Sequence, residues 1–246
     1  MKQQGNSLVD YREHRMEHTE SSRRQSLSQL ILAPAIICLA VTLLRLAGEL
    51  AHWSQKYFNT QVGGGGSIVG ITWLAPVFGA YFAVKLVRAG AAPRSAWKAM
   101  GFALLGAAVM LGGGFLGQSQ PSLSGFYARL LYIWAVLALA AIVTLPGWPA
   151  LFKVQLAYAY SARIPVVIVM FVAFQKGWVT HYSAAPPDTP PGMALWPKFL
   201  WLGFFPQLIL WVGFTLVSGM LLGCTIAVLA RLFQRALNQQ GRGSRS

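Results

Sequence analysis

Six stretches of this chain run for about twenty residues or more with almost no charge, enough for each to cross the ~30 Å hydrocarbon core of a bilayer as a helix. They cover residues 30–50, 68–87, 97–116, 126–145, 150–174 and 199–233. Their apolar residues are continuous and not striped at period 2 or 3.6, so they do not describe the half-buried elements of a soluble core. The alternating segments of a membrane barrel, each ~10 residues long, are absent too. The last run is too long for one straight span. Pro206, which has no backbone N–H to donate, is expected to divide it into a short interfacial piece and a membrane helix over 207–233. Charged residues make up 11% of the 246, against about 25% in a soluble domain. The expected fold is an all-α integral membrane protein, with a bundle of six transmembrane helices over residues 28–234.

Basic residues set the orientation, because cytoplasmic loops are enriched in Lys and Arg. With the N-terminus inside, the inner segments hold fourteen Lys and Arg and the outer loops three, Lys56, Lys176 and Lys198. Both termini are then cytoplasmic and the protein is a multi-pass protein of the inner membrane. The net charge of +14 reads as topology. Its expected partner is anionic lipid of the inner leaflet. Nucleic acid is not expected, since no aromatic-basic binding motif joins the cations. Residues 1–27 form a polar tail before a first span that reads as a retained signal-anchor, and 235–246 a basic tail. The outer connection 177–198 holds five prolines, too many for a helix, with Trp178, Tyr182 and Trp196 as interfacial anchors.

The costly residues are the charges inside the runs. Arg45, Glu49 and His52 stand at i, i+4 and i+7, on one face of the first helix near its outer end. Glu49 is the only carboxylate in any run. Either Arg45 and Glu49 neutralise each other and hold helices together, or the pair orients a polar site with His52 as proton carrier or ligand. Arg129, one turn inside the fourth run, matches them in depth. Arg163 lies near the middle of the fifth run, two residues before Pro165, which frees the carbonyl of Ser161. That is either a proline kink with a snorkelling arginine or a broken helix lining a cavity. Three arginines against one glutamate leave an excess of two positive charges, which an anionic headgroup or carboxylate ligand would offset.

The glycine run Gly63, Gly64, Gly65, Gly66 with Ser67 lies in the outer loop before the second span, on the same side as His181. It serves either as a hinge or close-packed cap, or its amides and the helix N-terminus after it receive an anion. No metal or cofactor is expected. Glu49 and His52 supply two ligands at i, i+3 spacing, and the further glutamates of a two-metal bundle are missing. Cys38 and Cys224 sit inside runs and form no Cys-x-x-Cys pair. His-Glu-x-x-His and nucleophile-elbow patterns are absent.

Gly113-x-x-x-Gly117 and Gly219-x-x-x-Gly223 are close-packing faces, used within the bundle or in a homodimer. Pro76 and Pro165, central in the second helix of each half, hint at two inverted three-helix repeats. Three functions stay open. The first is binding or translocation of a small anionic or amphipathic molecule through a pocket in the outer half. The second is a non-catalytic accessory or assembly subunit of a membrane complex. The third is a lipid-modifying enzyme using Glu49 and His52. The binding candidates are Arg45, Glu49, His52, Gly64, Gly65, Gly66, Ser67, Arg129, Arg163 and His181.

Overall fold

The structure, a computed structural model, describes residues 3–64 and 66–243, with side chains for 27–64, 66–236 and 238–239. Gly65, the side chains of 1–26 and the ends of both tails lie outside the described residues. The described elements are all helical. They are α1 (Gln3–Leu50), α2 (Leu74–Arg88), α3 (Ala96–Gln118), α4 (Phe126–Thr144), α5 (Pro149–Lys176), the short α6 (Leu195–Phe199) and α7 (Trp211–Gly243). Five helical stretches are long and apolar enough to cross a membrane: Leu27–Leu50 within α1, then α3, α4, α5 and Leu195–Ala236.

The second apolar run does not give a sixth of that length. Its helix starts at Leu74, and its 15 residues extend only about 22 Å. The preceding turns are held open by side-chain donors: Trp73 Nε1 donates to the Ile68 carbonyl (2.9 Å) and Arg45 to that of Val69 (2.7 Å). Carbonyls committed in this way are diverted from a helical ladder. Pro76 is the third residue of α2, in the first turn, where the N–H has no intrahelical partner anyway. It is therefore not a central kink, and the paired-proline hint of an inverted repeat loses one of its members.

Pro165 is inside α5, which runs unbroken from Pro149 at its first position to Gly177. Gly177 ends it in the left-handed conformation (φ 63°), and the Trp178 N–H reaches back to the Ala173 carbonyl (3.1 Å). Ser161 donates to the carbonyls of Ala157 (2.7 Å) and Tyr158 (3.0 Å). Pro206 does not divide the last run. The chain passes from α6 into α7 through two π-helical turns, Leu200–Phe204 and Pro206–Leu210, and Phe205 between them stays helical (φ −63°, ψ −44°). Widened turns of this kind let a membrane helix accommodate a proline without breaking.

α7 is the hub, with α2, α3, α4 and α5 packed on it, while α1 packs mainly on α5. Glycine sets the closest approach. A Cβ on Gly79 of α2 would lie 2.4 Å from the Gly219 carbonyl of α7, and one on Gly223 would meet Leu151 at 2.5 Å. Gly113 and Gly117 of α3 lie under Val136 and Tyr132 of α4, and the Tyr132 hydroxyl donates to the Gly113 carbonyl (2.8 Å). Both glycine pairs are thus occupied by helices of the same chain.

The connections gather at two ends. At the basic end, Trp148 Nε1 donates to Ala91 (2.9 Å) and Arg231 to the Arg94 carbonyl (2.8 Å). The first bond joins the α2–α3 and α4–α5 connections to each other, and the second ties the α2–α3 connection to α7. At the opposite, carboxylate end, the α1–α2 loop closes over the tip of α1 through Arg45, and the long 177–194 loop closes over the tips of α1 and α4 through Glu49 and Asp188.

Candidate functional site

The site grows from the tip of α1. Glu49 is 1% exposed and Arg45 6%. Their i, i+4 spacing brings Arg45 Nε to 2.7 Å from Glu49 Oε1. The second partner of Glu49 comes from the far side of the sequence. The His181 backbone N–H donates to Oε2 (2.9 Å), and His181 Nδ1 lies 2.5 Å from Oε1. A contact that short holds a proton, so Nδ1 carries the hydrogen and donates to the carboxylate. The Arg45 Nε hydrogen then goes to Glu49 and not to Nδ1, 3.1 Å away. Burial pushes the His181 imidazole below its ordinary range, and the Arg45 charge pushes the same way against the raising effect of Glu49.

His52 is not part of this cluster. α1 ends at Leu50, and His52 takes up the left-handed conformation (φ 54°) while the Trp53 N–H returns to the Gly48 carbonyl (2.9 Å). The helix stops before the i+7 position is reached, and His52 is exposed.

The glycine run faces Arg45 with carbonyls, not amides. Arg45 Nη2 donates to Asn59 (2.9 Å) and Gly64 (3.2 Å), and Nη1 to Val69 (2.7 Å). The amides of Gly64 and Ser67 are spent inside the loop, on Gln61 and Gly64 (both 2.9 Å). Ser67 Oγ accepts from the Asn59 N–H (2.8 Å) and closes the turn. The run also stops short of the α2 N-terminus, which begins at Leu74. The Gly64 and Ser67 amides are therefore already committed within the loop and do not face an anion. Gly66 (φ 74°) supplies only a turn conformation, with open space around it.

Gly64 is irreplaceable on two counts. Its φ is +82°, and a Cβ would lie 2.6 Å from Arg45 Nη2. Gly64→Ala is expected to destabilise the protein by about 1–2 kcal/mol from the left-handed backbone alone. Thermal unfolding in detergent checks this, and Gly66→Ala serves as the comparison with the backbone cost but no contact.

Arg129 stands apart as well. It pairs with Asp188 of the long loop, both about two-fifths exposed. The expected excess of two positive charges is reduced accordingly. Among the described residues, Arg45 has Glu49, Arg129 has Asp188, and Arg163 has no carboxylate. Arg163 is 4% exposed. Its Nη1 reaches Gln207 Oε1 at 3.4 Å, and its guanidinium lies 4.9 Å from the centre of the Trp211 ring. Gln207 and Trp211 come from the π-helical turn begun by Pro206 and the residue after it.

These residues surround a cavity of about 250 Å³ between α1, α5, the π-helical turns and the two loops. Among the described residues that line it, Arg163 is the one cation with no carboxylate partner. Arg45, His181 and Tyr182 line the loop side, and Val41, Ile71, Val166 and Met170 line the walls. Tyr182, expected at the interface, is instead 4% exposed, with its hydroxyl donating to the Thr42 carbonyl (3.1 Å). Toward the basic end, Tyr158 meets Phe78 and Phe82 edge-on (5.2 and 5.4 Å between ring centres), a packed aromatic layer of nearly inaccessible residues. Among the described residues no three His, Cys, Asp or Glu side chains come together as metal ligands.

The 177–194 loop is thus a cover pinned at Glu49 and Asp188. Since the docked His181 titrates below its free value of about 6.5, the docked loop holds fewer protons than a released one. The docking contribution is full above pH ~6.5 and falls as pH drops through the lowered value. A cysteine at Ala184, which lines the cavity, is expected to react with a soluble thiol reagent faster at pH 5 than at pH 7.5, after correction for thiolate fraction. An unchanged corrected rate would show that His181 titration does not govern how the loop is held.

No known family model matches the chain, and no curated protein or solved structure is significantly similar to it.

Proposed function

We propose that the chain is a multi-pass membrane protein that binds a small anionic molecule in the cavity beneath the 177–194 loop. The observation that carries this reading is Arg163, a buried guanidinium that opens on the cavity with no carboxylate partner among the described residues. A charge at membrane depth is costly unless paired or wetted, and such residues usually mark ligand or ion paths. In this reading all six apolar runs cross the bilayer. The 15-residue α2 crosses with the help of the turns before it, since it too joins the two ends. The basic end faces the cytoplasm by the distribution of Lys and Arg, and the cavity opens outward. Binding comes first. Translocation would further require the Phe78–Phe82–Tyr158 layer to part.

The accessory-subunit reading draws its support from the Arg45–Glu49–His181 cluster, whose members satisfy each other and whose work is to fasten loops. Arg163 separates the two readings. In the binding reading, Arg163→Gln leaves the protein folded and abolishes stabilisation by added organic anions, while Arg163→Lys retains part of it. Thermal unfolding of the purified protein over a panel of carboxylates and phosphates measures this. Equal anion responses in wild type and Arg163→Gln would favour the accessory role.

A further inference from the structure

We infer, on the basis of that reading, that the ligand carries a single negative charge at one end of a small apolar body, as a single-chain monocarboxylate does. Charge accounting sets the number. Glu49 and Asp188 each cancel one arginine, leaving one uncompensated cation among the described residues at the cavity, Arg163. Arg45 also lines the space, but its Nε, Nη1 and Nη2 already donate to Glu49, Val69, Asn59 and Gly64. Arg163 by contrast gives one long bond to Gln207 and rests a face on Trp211, which leaves most of its five N–H groups free for an anion.

The walls set the rest. Apart from Thr42, Thr72 and the loop-side Arg45, His181 and Tyr182, the walls include Val41, Ile71, Leu130, Val166, Met170 and Leu210, which offer an alkyl body contact and no hydrogen bond. A second carboxylate placed among them would lose its hydration without gaining a partner. A neutral ligand would leave Arg163 uncompensated. The volume of about 250 Å³ lies below the usual range of roughly 300–1,000 Å³ for small-molecule pockets. A two-chain phospholipid is therefore too large, and a single short chain is the matching size.

The test uses the full chain in nanodiscs of zwitterionic lipid, with empty discs to subtract partitioning. Radiolabelled decanoate is titrated, then displaced with unlabelled decanedioate, decan-1-ol or a short-chain phosphatidylglycerol. The expected result is saturable decanoate binding, with each of the three competitors at least tenfold weaker than unlabelled decanoate. Binding should be lost in Arg163→Gln and kept in Arg163→Lys, both variants showing wild-type melting. Decanedioate competing as well as decanoate would overturn the single charge and leave an anion site standing. Displacement by phosphatidylglycerol at equal potency would overturn the single chain. No saturable binding by decanoate or either charged competitor, in protein that melts normally, would overturn both this inference and the anion-site reading beneath it.

Discussion

Glu49→Gln is expected to destabilise the folded protein by about 3–5 kcal/mol, the usual result of removing one partner from a buried ion pair. The side chain of Glu49 is fully buried and accepts from three donors: Arg45 Nε, His181 Nδ1 and the His181 N–H. An amide keeps the shape but not the charge. Arg45 is then left as a buried cation facing only carbonyls, and one of the three donors faces an amide NH2. The loss should appear in thermal unfolding and as faster proteolysis within 177–194, because the same carboxylate fastens that loop. Adding Arg45→Gln removes the orphaned cation, so the double variant should recover part of the loss. A single-variant cost below about 1 kcal/mol would show that the pair is solvated and the site not closed.

Gly79→Ala is the second large effect. The new methyl would lie 2.4 Å from the Gly219 carbonyl oxygen, 2.5 Å from its Cα and 2.7 Å from Gln155 Nε2. Two of these neighbours are backbone, so no rotamer change relieves the clash and α2 must move off α7. Overpacking of this kind costs roughly 1–3 kcal/mol or more, and Gly79→Leu should prevent the two helices from packing at all. Gly101→Ala and Gly112→Ala are matched controls. Both sit in α3 with open space where the Cβ would go, and each is expected to be neutral or stabilising by about 0.5–1 kcal/mol. Melting temperatures of the four variants in one detergent decide the matter. If Gly79→Ala and the controls melt together, the contact between α2 and α7 is looser than described.

The helical, membrane-spanning character was legible because it rests on continuous apolar length, which needs no tertiary information. The Arg45–Glu49 pair was legible for a similar reason, since i, i+4 contacts are local. What the sequence could not show was where helices stop under tertiary demand. α1 ends at Leu50 in a left-handed cap at His52, a position more often filled by glycine, and this moved His52 off the expected face. α2 starts six residues late because Arg45 and Trp73 take up loop carbonyls. Pro206 looked like a break, but the break was absorbed by π-helical turns. The partners of Glu49 and Arg129, His181 and Asp188, lie 132 and 59 residues away, distances at which spacing carries no signal. Gln207 and Trp211 were passed over because each is an ordinary residue of an apolar helix until Arg163 is set beside it.

The neighbourly spacing of Arg45 and Glu49 has a consequence for biogenesis. The two side chains are one helical turn apart, so their bond is complete as soon as α1 has formed, before α2 or any later helix exists. The apolar stretch Leu27–Leu50 then carries no net charge once this bond has formed, although it holds both an arginine and a glutamate. The carbonyls of Asn59, Gly64 and Val69 arrive next in synthesis and wrap the guanidinium. His181 reaches the carboxylate only after five helices have been made. Assembly of this cluster thus has a built-in order, and a chain released from the ribosome before residue 181 would hold Glu49 with one partner in place of two.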